Sequence, residues 1–313
     1  MYNMCCLVLN LYCYFFLFTI MSNILIIGSY GMLWHMLYDQ FVVKFWQDYV
    51  IWVDRQTCDI TDYWQTSKCI AQYQPDYVIN CSAYTAVDKC EDQEKLINFQ
   101  VNTIGVWNIA KACLMQWCKC VHISTDYVFD WSQEQWYQVW DYPNPINMYG
   151  MAKYLGEQSI SSILELQQYS IIRTSRLYGW WSQYSNFVNT IIKLAQTKDT
   201  LQVVDDQYGA PTYTQTLIDY IMSLISDKRV SGIQHCTDLT PSPGITWYQF
   251  AKTIVWYIEI SCEVQPCGSQ IYPRPAPRPK YSYLINSYAQ AWSREQNLKQ
   301  YINQRYPDLI KHS

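Results

Sequence analysis

The chain has 313 residues, half of them apolar and 15% charged, which excludes a disordered chain and suits about two domains or one large α/β unit. Twenty-two basic against twenty-six acidic side chains leave a net charge of -4, which excludes nucleic-acid binding through a basic surface. Thirteen cysteines, an odd number, exclude a fully paired disulfide framework within one chain, and free thiols over this length suit a reducing, cytoplasmic compartment.

Residues 1–20 are nearly all apolar, with no Lys or Arg ahead of the apolar run and no small-residue cleavage site, so they do not read as a secretory signal. The run is close to membrane-spanning length, and an anchor is one reading. The favoured reading is a true start at Met21, because a βαβ pattern begins directly after it. From Asn23 short apolar runs alternate with helical stretches, the pattern of a parallel sheet with crossover helices. Strands are predicted at Ile24–Ile27, Val50–Val53, Tyr77–Asn80, Cys120–Ser124 and Ser170–Arg173. Helices are predicted at Asn98–Met115 and Met148–Leu164. Beyond Tyr178 the pattern loosens, with turn clusters at Asp205–Thr212 and Thr240–Gly244 and a Pro-rich stretch at Pro273–Pro279. The expected division is an extension over 1–20, a nucleotide-binding domain over 21–178 and a smaller lobe over 179–313, some of whose segments return to the first domain.

Gly28-Ser29-Tyr30-Gly31 follows the first strand and opens a helix. Gly28 permits the tight turn, and Gly31 lets backbone approach a pyrophosphate at the helix N-terminus. The third glycine of such motifs is replaced by Trp34, so the segment alone reads equally well as an ordinary βα turn. Asp54 ends the second strand, where an acid can accept from a ribose 2′-hydroxyl, while Arg55 beside it could meet a 2′-phosphate. NADH and NADPH therefore both stay open. Asp59 and Ile60 follow where an adenine pocket could form, although a loop Asp is more often a turn cap.

Tyr149 and Lys153 are four apart and share a helix face. An ammonium there is expected to lower the phenol's pKa, so that Tyr149 protonates a carbonyl oxygen while a nicotinamide delivers hydride. Lys153 could also hold the nicotinamide ribose. Ser124-Thr125 closes the fourth predicted strand at the carboxyl edge, where α/β sheets place ligands, and can orient both carbonyl and phenol. Asn102 is a candidate for positioning water, but alone it reads better as a helix-interior Asn bonded to backbone. Cys113, Cys118, Cys120 and His122 lack paired zinc-ligand spacing and read as buried core residues. No nucleophile-elbow motif appears, which disfavours a hydrolase. The abundant aromatics lack a basic stripe and are expected to fill core and surface positions.

These segments together resemble the dTDP-4-dehydrorhamnose reductase family of extended short-chain dehydrogenase/reductases. The matching blocks are NCSAYTAVDKCED (80–92), VNTIGVWNIAKAC (101–113), HISTDYVFD (122–130), PINMYGMAKYLGE (145–157), RTSRLYG (173–179), DDQYGAPT (205–212), TWYQFAK (246–252) and RPAPRPKYSYL (274–284). They occur in the family's order from about Met21 nearly to the end.

The resemblance implies an α/β, Rossmann-type doubly wound parallel sheet with a smaller C-terminal substrate-binding lobe. It implies a triad of Thr125, Tyr149 and Lys153, and NADPH or NADH along Gly28, Tyr30, Gly31, Met32 and Leu33, at Asp59 and Ile60, and along Cys81, Ser82, Ala83 and Tyr84. Asp126, Tyr127 and Arg278 fall where the family meets the dTDP-sugar, and a guanidinium fork suits a diphosphate. Arg176 stands where these reductases usually carry a sugar-packing tryptophan, and Ser82 where alanine is usual. Some members of the family depend on magnesium, but no metal ligand is assigned here; a homodimer is one assembly left open. The implied reaction is NAD(P)H-dependent reduction of dTDP-4-dehydro-β-L-rhamnose to dTDP-L-rhamnose. The alternatives are a related 4-keto sugar nucleotide reductase or epimerase, and a non-catalytic subunit like the methionine adenosyltransferase regulatory subunit.

Overall fold

A computed structural model describes residues 22–29, 31–45, 49–134, 136–179 and 186–310, apart from the side chains of residues 34 and 35. The expectations for residues 1–20, for Tyr30 and for the indole of Trp34 therefore lie outside the described residues. Among the described residues no helix is long and apolar enough to cross a membrane.

Six strands form the central sheet: β1 (Ile24–Ile27), β2 (Val50–Val53), β3 (Tyr77–Asn80), β4 (Lys119–Thr125), β5 (Tyr169–Thr174) and β6 (Gly232–His235). Their spatial order is β6-β5-β4-β3-β1-β2, and every neighbouring pair is parallel. The order reverses between β1 and β3, which opens a crevice at their carboxyl ends. ILII in β1 and YVIN in β3 are buried on both faces, as parallel strands flanked by helices require. Ile24 and Ile26 pack with Leu37 and Phe41 of α1 (Met32–Phe45) on one face. Leu25 and Ile27 pack on the other with Ile70 of α2 (Tyr63–Tyr73), Ile109 of α3 (Val106–Gln116) and Ile160 of α4 (Met148–Ile163).

The predicted helix from Asn98 is interrupted. A short helix at Lys95–Phe99 passes into one wide π turn at Gln100–Gly105 before α3 begins. The side chains there point away from the helix's own backbone: Asn98 donates to the Met148 carbonyl at 2.8 Å, and Asn102 spans the backbone of Tyr84. Gly156 of α4 lies against the Asn102 carbonyl, where a Cβ would collide with it. Close approach of α4 and the irregular turn are thus one feature.

Past β5 lies the smaller lobe. Its core joins α5 (Phe187–Ala195), α7 (Trp247–Tyr257) and α8 (Arg294–Arg305) through residues such as Val188, Ile254 and Leu298. Between α5 and α7 the chain runs back through α6 (Thr214–Ser226), whose Leu217, Ile218 and Ile221 pack on the face covered by α1, and then through β6.

A fully buried ion pair seats α4 on the sheet. Arg173 Nη2 of β5 donates to Glu157 Oε2 at 2.7 Å, its Nε donates to Oε1 at 3.0 Å, and Ser124 Oγ of β4 donates to the same Oε1 at 2.5 Å. Removing one partner leaves an uncompensated charge away from water. Arg173→Met is therefore expected to lower the unfolding free energy by about 3–5 kcal/mol in a urea titration. The double variant Glu157→Leu/Arg173→Met should regain most of that loss.

Candidate active site

The β1–α1 turn is built on backbone contact. Gly28 adopts φ +100°, and a Cβ on it would lie 2.6 Å from Ser82 N, so the turn rests directly on the chain leaving β3. Cys81 N donates to Ile27 O at 2.9 Å and holds the two strand ends together. Between these segments a groove of about 290 Å³ runs from Asp54, Asp59 and Ile60 past Gly28 and Gly31 to Cys81, Ser82, Ala83 and Tyr84.

Asp54 accepts from Thr57 N and Oγ1, which holds its carboxyl below the usual carboxylate range. Asp59 is also lowered. Burial alone would raise it, but the hydroxyl and N–H of Thr61 and the Arg55 guanidinium outweigh that effect. The Asp59 carboxylate thus orders its own loop, as the turn-cap reading expects. Ile60 is buried, and its carbonyl accepts from Asn108 Nδ2 at 2.7 Å.

Asn102 follows the backbone-bonded reading rather than the water-positioning one. The side chain is fully buried; its amide nitrogen donates to Tyr84 O at 2.8 Å and its oxygen accepts from Tyr84 N at 3.1 Å. It shapes the groove by fixing Tyr84 rather than by facing into it.

A second cavity of about 590 Å³ continues from Gly31, Met32 and Leu33 to Thr125, Tyr149 and Lys153. Thr125 ends β4; its hydroxyl accepts from Tyr127 N at 3.2 Å and donates to Asp126 Oδ1 at 3.1 Å. Tyr149 enters from the first turn of α4, which Asn147 caps by accepting from Gly150 N at 2.8 Å. Gly150 lies against the Tyr127 carbonyl, where any Cβ would collide, so α4 meets the end of β4 at backbone distance. The Tyr127 ring stands edge-on to Tyr149 at 5.5 Å.

The expected electrostatics of the pair are also corrected. Burial, then the nearby Asp126 carboxylate, push the Tyr149 phenol up, although the Thr125 hydroxyl opposes them. The hydrogen bonds of Lys153 go elsewhere: Nζ donates to Ile123 O at 2.6 Å and meets His122 Nε2 at 3.1 Å. Burial lowers Lys153 itself to about 8, against the pull of Glu157.

A third cavity, of about 510 Å³, adjoins across Asp126, Tyr127 and Arg176 and extends to Arg274 and Arg278. Burial raises Asp126 to about 6 despite the Ser282 hydroxyl and the Arg176 charge. Arg176 adopts φ +47°, donates to Ile245 O and Gln207 O at 3.0 Å each, and stacks 4.2 Å over Trp247. Where the resemblance implies a sugar-packing tryptophan, the structure has a guanidinium committed to carbonyls, with Trp247 as the neighbouring aromatic surface. Arg278 donates to Asp88 Oδ2 at 2.8 Å, and Arg274 reaches the same oxygen at 3.7 Å. Asn147 Nδ2 donates to Pro277 O at 3.1 Å, tying the Pro-rich segment to the cap of α4.

Sequence reasoning missed His122, Asn80 and Trp247 as parts of this region. Its position in the sequence places His122 among cysteines. The thiols of Cys113, Cys118 and Cys120 do lie together, but both His122 nitrogens face Asn80 and Lys153. A usable signal was the polar Asn80 closing an otherwise apolar strand. Among the described residues no group of three or more His, Cys, Asp or Glu side chains could hold a metal ion.

The family model for the RmlD substrate binding domain matches residues 21–306. A dTDP-4-dehydrorhamnose reductase from Mycolicibacterium smegmatis is 35% identical over 84% of this chain and 78% of its own length. The spore coat polysaccharide biosynthesis protein SpsK of Bacillus subtilis is 36% identical over 84% of this chain and 89% of its own. The crystal structure of a dTDP-4-dehydrorhamnose reductase from Bacillus anthracis in complex with NADP superimposes with a TM-score of 0.84 at 32% identity, covering 90% of this chain and 99% of that one.

Gly28→Ala combines an unfavourable positive φ with a backbone collision, and is expected to cost about 1–3 kcal/mol of stability in chemical unfolding. An unchanged midpoint would mean that the turn relaxes freely.

Proposed function

The chain belongs to the dTDP-4-dehydrorhamnose reductase family and is an NAD(P)H-dependent oxidoreductase; from that premise we propose that it reduces dTDP-4-dehydro-β-L-rhamnose to dTDP-L-rhamnose, with Tyr149 as proton donor. The observation that carries this reading is the meeting of Thr125, Tyr149 and Lys153 in one cavity that continues into the Gly28–Gly31 groove.

The groove fits a dinucleotide. At Gly28 a Cβ would press on Ser82, Gly31 opens α1 without obstruction, and Asp54 stands at the end of β2. Gly28, Gly31 and Cys81 to Ala83 would hold the cofactor, with Met32 and Leu33 beside its reactive half. When bound, a reduced nicotinamide supplies hydride to the keto carbon.

The chain's own residues do the rest. Thr125 turns its hydroxyl from Asp126 to the keto oxygen, and Tyr149 transfers its phenolic proton there as the C–O bond gains charge. A phenol raised by burial keeps its proton at neutral pH and gives it up only to a much stronger base, which a forming alkoxide is. Asp126 and Tyr127 line both the reaction cavity and the third cavity, where the sugar would pass into the nucleotide diphosphate site. Arg278 meets the diphosphate there by exchanging its bond to Asp88.

Purified protein should consume NADPH when given the 4-keto sugar nucleotide, followed by nicotinamide absorbance. Tyr149→Phe is expected to lower kcat by about 10²–10⁴-fold with cofactor affinity preserved. Equal turnover would exclude the acid role, and tight cofactor binding without reduction of any keto sugar would point to a binding subunit.

A further inference from the structure

Helix α4 presents two adjacent stripes. Tyr149, Lys153 and Glu157 face the cleft and the sheet, while Met148, Ala152 and Gly156, each one residue earlier, face the π turn. That second stripe is gripped at every step. Asn98 Nδ2 donates to Met148 O at 2.8 Å, Thr103 Oγ1 donates to Ala152 O at 2.8 Å, and Gly156 rests on the Asn102 carbonyl. Carbonyls in the first turns of a helix already receive the N–H four residues on, so the two side-chain bonds are surplus to the helix itself. What they fix is where the helix sits.

The direction of the amide chain that ends on Met148 is determined. A backbone N–H can only donate, so the Asn102 atom 3.1 Å from Tyr84 N is its oxygen. Its nitrogen then donates to Tyr84 O at 2.8 Å and to Asn98 Oδ1 at 2.7 Å. That leaves the Asn98 nitrogen for Met148 O, which can only accept. Asn98 and Asn102 are both fully buried, so bulk water cannot stand in for a lost partner. The oxygen gripped by Asn98 belongs to the peptide that joins Met148 to Tyr149, and Glu91 Oε1 accepts from the Met148 N–H at 2.8 Å.

We propose that Asn98 is a positioning residue for Tyr149: by holding the peptide oxygen just before the tyrosine, it ties the placement of the phenol to the wall of the dinucleotide groove at Tyr84. Asn98 lines neither the groove nor the reaction cavity, so it acts through the backbone of Tyr149. The proposal rests on the reductase reading, in which the phenol must come within hydrogen-bond reach of the keto oxygen. A misplacement of about 1 Å there costs up to about 10²-fold in rate.

Asn98→Asp isolates the bond to Met148. An ionised carboxylate still accepts from Asn102 but meets the Met148 oxygen as a second acceptor, whereas a protonated one donates to it. Burial, with the Glu91 carboxylate close by, raises such a group above the usual carboxylate range. At about pH 8 the full-length variant should lose about 10–100-fold in kcat with the 4-keto sugar nucleotide, with its Kd for NADPH unchanged. Protonation restores the donor, so the ratio of variant to wild-type kcat should climb as the pH falls from about 8 to 6. In the Tyr149→Phe background the same substitution should change kcat by less than about twofold, because the group it misplaces is gone. Equal losses in both backgrounds would mean a general loosening of the fold and overturn the proposal, as would full activity at pH 8 or a loss that acid does not repair. Should Asn98→Asp fail to fold, Asn98→Ala frees the same oxygen and is measured in the same two backgrounds. If the wild type reduces no keto sugar, the assigned reaction falls, and the ring ¹H–¹³C resonances of Tyr149, assigned by Tyr149→Phe, decide the positioning role. A shift in Asn98→Asp that reverses on acidification supports it; unmoved resonances overturn it.

Discussion

The seat of α4 on β4 and β5 is the interaction on which the cleft depends. Tyr149 and Lys153 lie on the first half of that helix, and the Glu157–Arg173 pair with Ser124 fixes the middle of it to the sheet. Apolar packing alone is tolerant of small slides and rotations. A two-pronged guanidinium–carboxylate contact is directional and restricts both. Two glycines complete the constraint: Gly150 admits the Tyr127 carbonyl and Gly156 admits that of Asn102. The helix bearing the phenol is therefore positioned by backbone contact at two points and by charge at a third.

Much of this was legible in the sequence. The limits of β1, β2 and β3 match the apolar runs: β1 and β3 are buried on both faces and so are largely apolar, while edge strand β2 leaves Trp52 exposed. Tyr149 and Lys153 share a helix face as their spacing requires, and Thr125 closes its strand. What escaped was set by partners distant in sequence. The groups that surround Lys153 include His122 and, through it, Asn80, 73 residues away. The role of Arg176 escaped because nothing local reveals that the carbonyls of Gln207 and Ile245 converge on it. The π turn at Gln100–Gly105 escaped because apolar periodicity records which face is buried, not how many residues complete a turn.

Polar contacts tie the Pro-rich segment to the sheet side of the cleft. Asp88, on the loop after β3, faces Arg274 and Arg278 of the Pro-rich segment, and Asn147 at the head of α4 holds Pro277. The segment that reads in isolation as a polyproline linker is thereby a wall of the third cavity, with its arginines directed inward by a carboxylate of the opposite lobe. Asp126 and Arg176 both line the floor between them, each charge opposing the shift that burial imposes on the other.

The dry ion pair beneath α4 also sorts the molecule by its response to electrolyte. Arg229–Asp227 and Lys89–Glu94 stand in solvent, where mobile ions at physiological strength shield them over about 8 Å. Glu157 and Arg173 admit no such counter-ions. Brine would loosen the periphery while leaving the foundation of the cleft as firm as before.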